Sequence, residues 1–167
     1  MDFDDYVRRQ RTPLLRFALV LAGQPWLADD LVSDALGRAF EQWDRIGVLD
    51  DPHAYVRRMI VNAFISRKRR AARHSAWDDA AAASLIVPDP TREHAERDEM
   101  LRRLDRLPRK QRAAVVLRFY AGMSDDEIAT LLGCRPSTIR SQISRALTAL
   151  RIEMTTTPAL RSSEETP

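Results

Sequence analysis

Among 167 residues there is a single cysteine, Cys134, which excludes an intrachain disulfide and any multi-cysteine metal site and suits a reducing compartment. Alternating apolar runs are missing, so strands are not expected. No apolar run approaches membrane-spanning length, and the N-terminus, MDFDDYVRRQ, is acidic and then basic without the core of a signal peptide. No membrane insertion is expected, and the location should be cytoplasmic. His53, His74 and His94 are scattered, with no metal-ligand spacing and no nucleophile nearby, so no catalytic residue, metal or cofactor is expected. Lysine is confined to Lys68 and Lys110 among 27 basic residues. The positive charge is therefore almost all arginine, suited to bidentate contact with phosphate or guanine, although a GC-rich genome would give the same bias. What remains is 44% hydrophobic and 31% charged with a net charge of +3, enough to bury a core and to permit a polyanionic partner.

Proline, glycine and capping residues divide the chain into helices, and the expected fold class is all-α: two small helical domains joined by a flexible linker. A first helix is expected from about Phe3 to Ala22, restarted or bent at Thr12-Pro13. A second runs from Pro25 to about Ile46, with Val32, Leu36, Ala39, Phe40 and Trp43 on one face. A third opens on Asp51 as cap and Pro52 at its first position and continues through HAYVRRMIVNAFISRKRRAARH, burying Val56, Met59, Ile60 and Ala63. Residues 1–73 thus form one domain. Residues 74–91 carry small residues and two prolines without amphipathic period and read as the linker. Residues 92–153 form a second domain of four short helices, beginning with REHAERDEMLRRLDRL and a helix opened by Pro108 and ended by Gly122; residues 154–167 read as a polar tail.

In SDDEIATLLG, Ser124 and Glu127 have the spacing of a capping box, and Asp125 and Asp126 suit the positive end of the helix dipole. The helix should stop at Gly133, and Pro136 opens another. Two helices joined by so tight a turn cross steeply, as in a helix-turn-helix. On the second, Ile139, Ile143, Ala146, Leu147 and Leu150 form the core stripe. Ser137, Ser141, Ser144, Arg145 and Thr148 face away, with Arg140 and Gln142 on the flanks, and no acid occurs between Arg135 and Arg151. An ordinary solvated helix usually carries some acid. This one fits a DNA groove, with arginines for guanine or phosphate and hydroxyls and amides for bases. Cys134 fits as a small residue in the turn, since no second cysteine can resolve an oxidised form.

The first domain carries charge differently. Its second helix presents Asp29, Asp30, Asp34 and Glu41, and its third presents Arg57, Arg58, Arg67, Lys68, Arg69 and Arg70. Arg58, Asn62, Ser66 and Arg69 share one face, an amide that can read a base set between arginines that can hold a backbone. A solvated basic helix with Asn62 as an incidental polar residue would look similar.

The stretches ADDLVSDALGRAFEQW, DPHAYVRRMIVNAFISRKRR, LRRLDRLPRKQRAAVVLRFYAGMSDDEIATLLGC and STIRSQISRALTALR, in this order and spacing, resemble an extracytoplasmic-function (ECF) sigma factor, a promoter-recognition subunit of bacterial RNA polymerase. NAFISRKRR, with serine after the isoleucine, points to the SigE-like subgroup. The resemblance implies that the two domains are sigma regions 2 and 4. It makes Asp30, Ser33, Asp34 and Arg38 the residues that dock on the β′ clamp helices of core polymerase, with Ser33 where the family often has glutamine. Arg58, Asn62, Ser66, Arg67, Arg69 and Arg70 would recognise and melt the −10 element; Asn62 matches the family's asparagine, Ser66 replaces a frequent aspartate and Tyr55 a frequent tryptophan. Arg135, Ser137, Thr138, Arg140, Ser141, Gln142, Ser144 and Arg145 would read the −35 element, with Arg135 where a capping serine or threonine is common. The implied partners are core RNA polymerase, through the β′ clamp helices and β flap, and promoter DNA; the family also allows an inhibitory anti-sigma factor.

Two other readings compete. A helix-turn-helix activator or repressor would use the second domain equally well but leaves the acidic helix and VNAFISRKRR without a role. An all-α magnesium-dependent enzyme would use DDLVSD, Asp29 to Asp34, as its acidic motif, but no second such motif accompanies it.

Overall fold

The computed structural model describes residues 1–67 and 92–156, of which 92–95 and 152–156 are described in backbone alone. Contacts divide the chain into two units, Met1–Ala95 and Glu96–Pro167. The described residues are helical throughout, joined by turns. The expected linker, 74–91, lies outside them, as do residues 157–167.

In the first unit α1 spans Phe3–Ala22, α2 Pro25–Glu41, α3 Trp43–Ile46 and α4 Pro52–Ser66. α1 packs on α2, and both pack on α4. Leu14, Leu21, Leu31, Val32, Val56, Ile60 and Val61 are sealed between them. α1 runs without interruption through Pro13, where a restart was one of two expectations. Proline leaves the carbonyl four residues back without its N–H, but Pro13 and Arg9 both lie on the exposed side, where water can serve that carbonyl.

α2 ends at Glu41, five residues before the expected Ile46, because Gln42 leaves helical geometry (φ −122°, ψ 17°) and Trp43 begins a separate turn. The break serves the Trp43 ring, which lies 5.1 Å from Phe3 and 4.7 Å from Tyr6 and donates its indole N–H to the Met1 carbonyl at 2.9 Å. Gly47 completes the turn, since a Cβ there would come within 2.9 Å of the indole nitrogen. The buried face of α2 is also rotated from the expected one. Leu27, Ala28, Leu31, Val32, Ala35 and Ala39 are buried, Leu36 is half-buried and Phe40 is 65% exposed. Alanines allow close helix approach and set the contact stripe, leaving Phe40 to rest against Phe3 at its edge.

α4 opens as expected, with Asp51 Oδ1 accepting from the Ala54 N–H at 2.8 Å. It stops at Ser66 rather than continuing toward His74. Ser66 Oγ donates back to the Asn62 carbonyl at 2.7 Å, and Arg67 takes extended geometry (ψ 108°). Val56 and Ile60 are buried as expected; Val61 and Phe64 join them, while Met59 and Ala63 are only half-buried.

The second unit contains α5 (Arg92–Asp105) from Glu96 onward, α6 (Arg109–Val115), a π-helical turn (Val116–Tyr120), α7 (Asp125–Leu132) and α8 (Pro136–Thr156). α6 and α7 both pack on α8 around Leu117, Ile128, Ile139 and Ala146. α8 includes residues 154–156, where the tail was expected to begin. α6 carries the one buried charge among the described residues, Arg112, 2% exposed, which donates to Asp105 Oδ1 at 3.0 Å. Burial lowers the Arg112 pKa, and the Asp105 carboxylate opposes that shift. The π-helical turn buries Val116 and Leu117 while leaving Phe119 and Tyr120 outside.

Candidate nucleic-acid interface

α7 begins with a complete capping box. The Glu127 N–H donates to Ser124 Oγ at 3.2 Å, and the Ser124 N–H donates to Glu127 Oε2 at 2.7 Å. The latter bond, then the interaction of the Ser124 hydroxyl with the carboxylate, holds the Glu127 pKa below its usual value. Gly133 ends the helix in the left-handed region (φ 66°), with its N–H on the Ala129 carbonyl. Pro136 then starts α8, whose first turn closes as the Thr138 and Ile139 N–H groups donate to the Arg135 carbonyl. These local features fix the helix-turn-helix.

α8 buries Ile139 and Ala146 and half-buries Ile143, Leu147 and Leu150. On its outer side Arg135, Ser137, Thr138, Arg140, Ser141, Ser144 and Arg145 are exposed, and Gln142 is half-buried at the border. All eight residues expected to meet the −35 element thus lie on one helix and its leading turn, seven of them open to solvent. Thr148, on the same side, spends its hydroxyl on the Ser144 carbonyl at 2.9 Å. Two residues missed from sequence join this site. Asp125 lies 3.5 Å from Arg118 and 3.9 Å from Arg140. Asp125 had a sufficient local explanation in the helix dipole, and only the turn geometry brings it to Arg140.

In the first unit the acidic and basic sets adjoin. A groove of about 650 Å³ is lined by Asp30, Asp34 and Arg38 from α2 and by Met59, Asn62, Ser66 and Arg67 at α4. Asp34 pairs with Arg38 at 2.9 Å, and Asp30 pairs with Arg67 across the groove. Ser33, Arg58, Asn62 and Ser66 are exposed, whereas Arg67 is partly covered. Arg69 and Arg70 lie outside the described residues. Asp29 turns away to Arg11 at 3.8 Å, so the carboxylates of DDLVSD face three different arginines rather than one point. Among the described residues no cluster of three or more His, Cys, Asp or Glu could hold a metal, and no helix is long and apolar enough to cross a membrane.

At the far end of this unit, His53 Nδ1 lies 3.4 Å from the buried Tyr6 hydroxyl. Burial, then the Arg57 charge, lowers the His53 pKa, with Asp51 opposing. Burial, with Asp51 adding to it, raises that of Tyr6.

Two short helical units, one with a groove joining an acidic and a basic helix and one with an arginine-bearing helix-turn-helix, give the layout of a two-domain helix-turn-helix protein. Family comparison agrees: Sigma-70 region 2 matches residues 6–74, and Sigma-70 region 4 matches residues 97–150. The RNA polymerase sigma-E factor of Streptomyces avermitilis is 36% identical over 158 residues, covering 92% of this chain and 86% of that protein. The sigma-E factor of Streptomyces coelicolor is 34% identical with the same coverage, and the ECF RNA polymerase sigma factor EcfG of Rhodopseudomonas palustris is 34% identical over 83% of this chain and 77% of its own. The chain belongs to the ECF sigma factors of the sigma-70 family. It is therefore a promoter-recognition subunit that works with core RNA polymerase, and not an enzyme. In fold it is similar to the sigma factor RpoE of Bartonella quintana, solved in complex with the anti-sigma factor NepR, with a TM-score of 0.63 at 23% identity over 92% of this chain and 97% of that one.

Proposed function

We propose a division of labour within the promoter complex, residue by residue. α8 reads the −35 element, with Arg140, Ser141, Gln142, Ser144 and Arg145 toward base edges and Arg135, Ser137 and Thr138 toward the backbone at the helix N-terminus. α4 and the segment after it take the −10 element through Arg58, Asn62, Ser66, Arg67, Arg69 and Arg70, capturing unstacked bases and so offsetting the cost of melting. Asp30, Ser33, Asp34 and Arg38 dock on the β′ clamp helices, and the second unit engages the β flap. Residues 1–73 and 92–156 are the two working domains, and the linker 74–91 would lead toward the active-site and RNA-exit channels. The factor acts in the cytoplasm, where RNA polymerase meets the nucleoid. An anti-sigma factor is a fitting further partner, since the RpoE of similar fold is held by one.

The observation that carries this reading is the outer side of α8, with arginines, hydroxyls and an amide and no acid between Arg135 and Arg151, presented by a helix-turn-helix whose first helix is capped at both ends. Core polymerase would hold both modest DNA sites at fixed separation and raise the effective concentration of the second. The test is transcription from a promoter library randomised in both boxes, using holoenzyme with Asn62→Ala or Ser141→Ala. Asn62→Ala should alter preference in the −10 box alone and Ser141→Ala in the −35 box alone. Reversed or unlocalised effects would contradict the assignment.

A further inference from the structure

The two oxygens of Asp125 face different arginines: Oδ1 lies 3.5 Å from Arg118 Nη1, and Oδ2 lies 3.9 Å from Arg140 Nη1. Arg118 comes from the π-helical turn before the helix-turn-helix, and its Nη1 also donates to the Met123 carbonyl at 3.3 Å, closing the loop that leads into α7. Asp125 opens α7, and Arg140 stands on α8. One carboxylate therefore ties the incoming loop and the first helix of the motif to a side chain on the recognition helix. The side chain of Asp125 is only 23% exposed, while that of Arg140 remains 64% exposed.

We infer that Asp125 is a positioning residue for −35 recognition, holding Arg140 toward a purine edge in the groove rather than toward the phosphate backbone. The inference rests on the reading of α8 as the −35 helix. A free arginine samples many rotamers, and one already biased by a carboxylate loses less freedom on forming a directed pair of hydrogen bonds. At 3.9 Å the contact is an ion pair without a short hydrogen bond, loose enough to leave the other guanidinium N–H groups for bidentate contact with guanine O6 and N7. A carboxylate beside the guanidinium also repels phosphate, which penalises the sequence-independent alternative. Asp126, the next residue in the same first turn, is exposed and should share the dipole role without the positioning role.

The test uses holoenzyme transcribing a promoter library randomised in the −35 box, with Asp125→Asn, Asp125→Glu, Asp126→Asn, Arg140→Ala and the double variant Asp125→Asn/Arg140→Ala. Asp125→Asn should weaken preference several-fold at the base pair where Arg140→Ala abolishes it. It should also steepen the salt dependence of non-specific DNA binding by a log–log slope of up to about 0.9, as one arginine turns to phosphate. Asp125→Glu should retain the preference, Asp126→Asn should leave the profile unchanged, and the double variant should match Arg140→Ala at that base pair. The inference is overturned if Asp125→Asn lowers all promoters equally, as a lost helix cap would, or if its effect persists undiminished without Arg140. If Arg140→Ala changes no base preference, the placement of Arg140 in the −35 site fails first and the inference falls with it.

Discussion

α4 and α8 carry the same chemistry in two electrostatic settings. Each presents arginine with hydroxyl and amide groups on an exposed side, but α4 lies beside an acidic helix whose Asp30 pairs with Arg67, whereas α8 carries no acid between Arg135 and Arg151 and meets one carboxylate from the preceding helix. The difference shows that one chain can set a basic helix beside acids in one unit and apart from them in the other. In the first unit groups expected to meet protein and groups expected to meet DNA line one groove. In the second unit the side proposed to meet DNA lies on α8, apart from the buried Arg112–Asp105 pair.

The largest effect that would sharpen this contrast lies on α6. Asp105→Ala removes a carboxylate partner of a guanidinium that is 2% exposed. It should cost about 2–4 kcal/mol, toward the lower side of what breaking a fully buried pair costs because Asp105 is half open to solvent. Hydrogen exchange should show the lost protection centred on α5 and α6; unchanged protection there would mean that the buried charge does not hold the second unit. In the first unit, Asp34→Arg should weaken binding to core polymerase by about tenfold or more, since a reversed charge at a docking surface is costly, with helicity retained. Unaltered affinity in a titration against core would remove Asp34 from the docking set.

Arg145→Ala addresses the acid-free side directly. It should cost about 1–3 kcal/mol of −35 discrimination if the side chain meets a base, and act equally on all sequences if it meets phosphate. No change on any promoter would take Arg145 out of the site. Ser124→Ala should cost about 1 kcal/mol in urea unfolding by removing half of the capping box, and a neutral result would show that Glu127 alone suffices.

The smallest effect separates the units by pH. The folded His53 pKa lies below its ordinary 6.5, so the unfolded chain takes up the proton first as pH falls. Its contribution is fully present above the unfolded value and is lost as pH drops through the folded one. Urea midpoints for wild type and His53→Gln should therefore converge on acidification from about pH 7.5 to about pH 5.5, and a constant gap would refute the linkage.

Much of this architecture was legible because its signals are local. Asp51 before Pro52, Ser124 with Glu127, and Gly133 before Pro136 each specify a helix end through groups within a few residues, and each forms as the sequence implies. The outer side of α8 was legible for the same reason, since a helix wheel needs no tertiary information. What escaped depends on partners distant in sequence or on packing. Gln42 breaks α2 because Trp43 turns to Phe3 and Tyr6, about forty residues earlier. Phe40 looked like core because it is large, but the alanines of α2 decide which side approaches α1 and α4. α4 stops at Ser66, where its hydroxyl turns back to the helix and Arg67 reaches Asp30, although the basic run beyond continues a helical pattern. The Asp125–Arg140 pair spans the turn and follows from the crossing of α7 and α8, which spacing alone does not specify.

The central claim, that both units act together on a promoter with core polymerase, is tested most directly by run-off transcription from a genomic fragment library, with and without this protein, followed by sequencing of the transcripts. New start sites that require the protein and share two boxes at fixed spacing are expected. No new start sites with core polymerase, together with a discrete duplex bound by the protein alone, would contradict it.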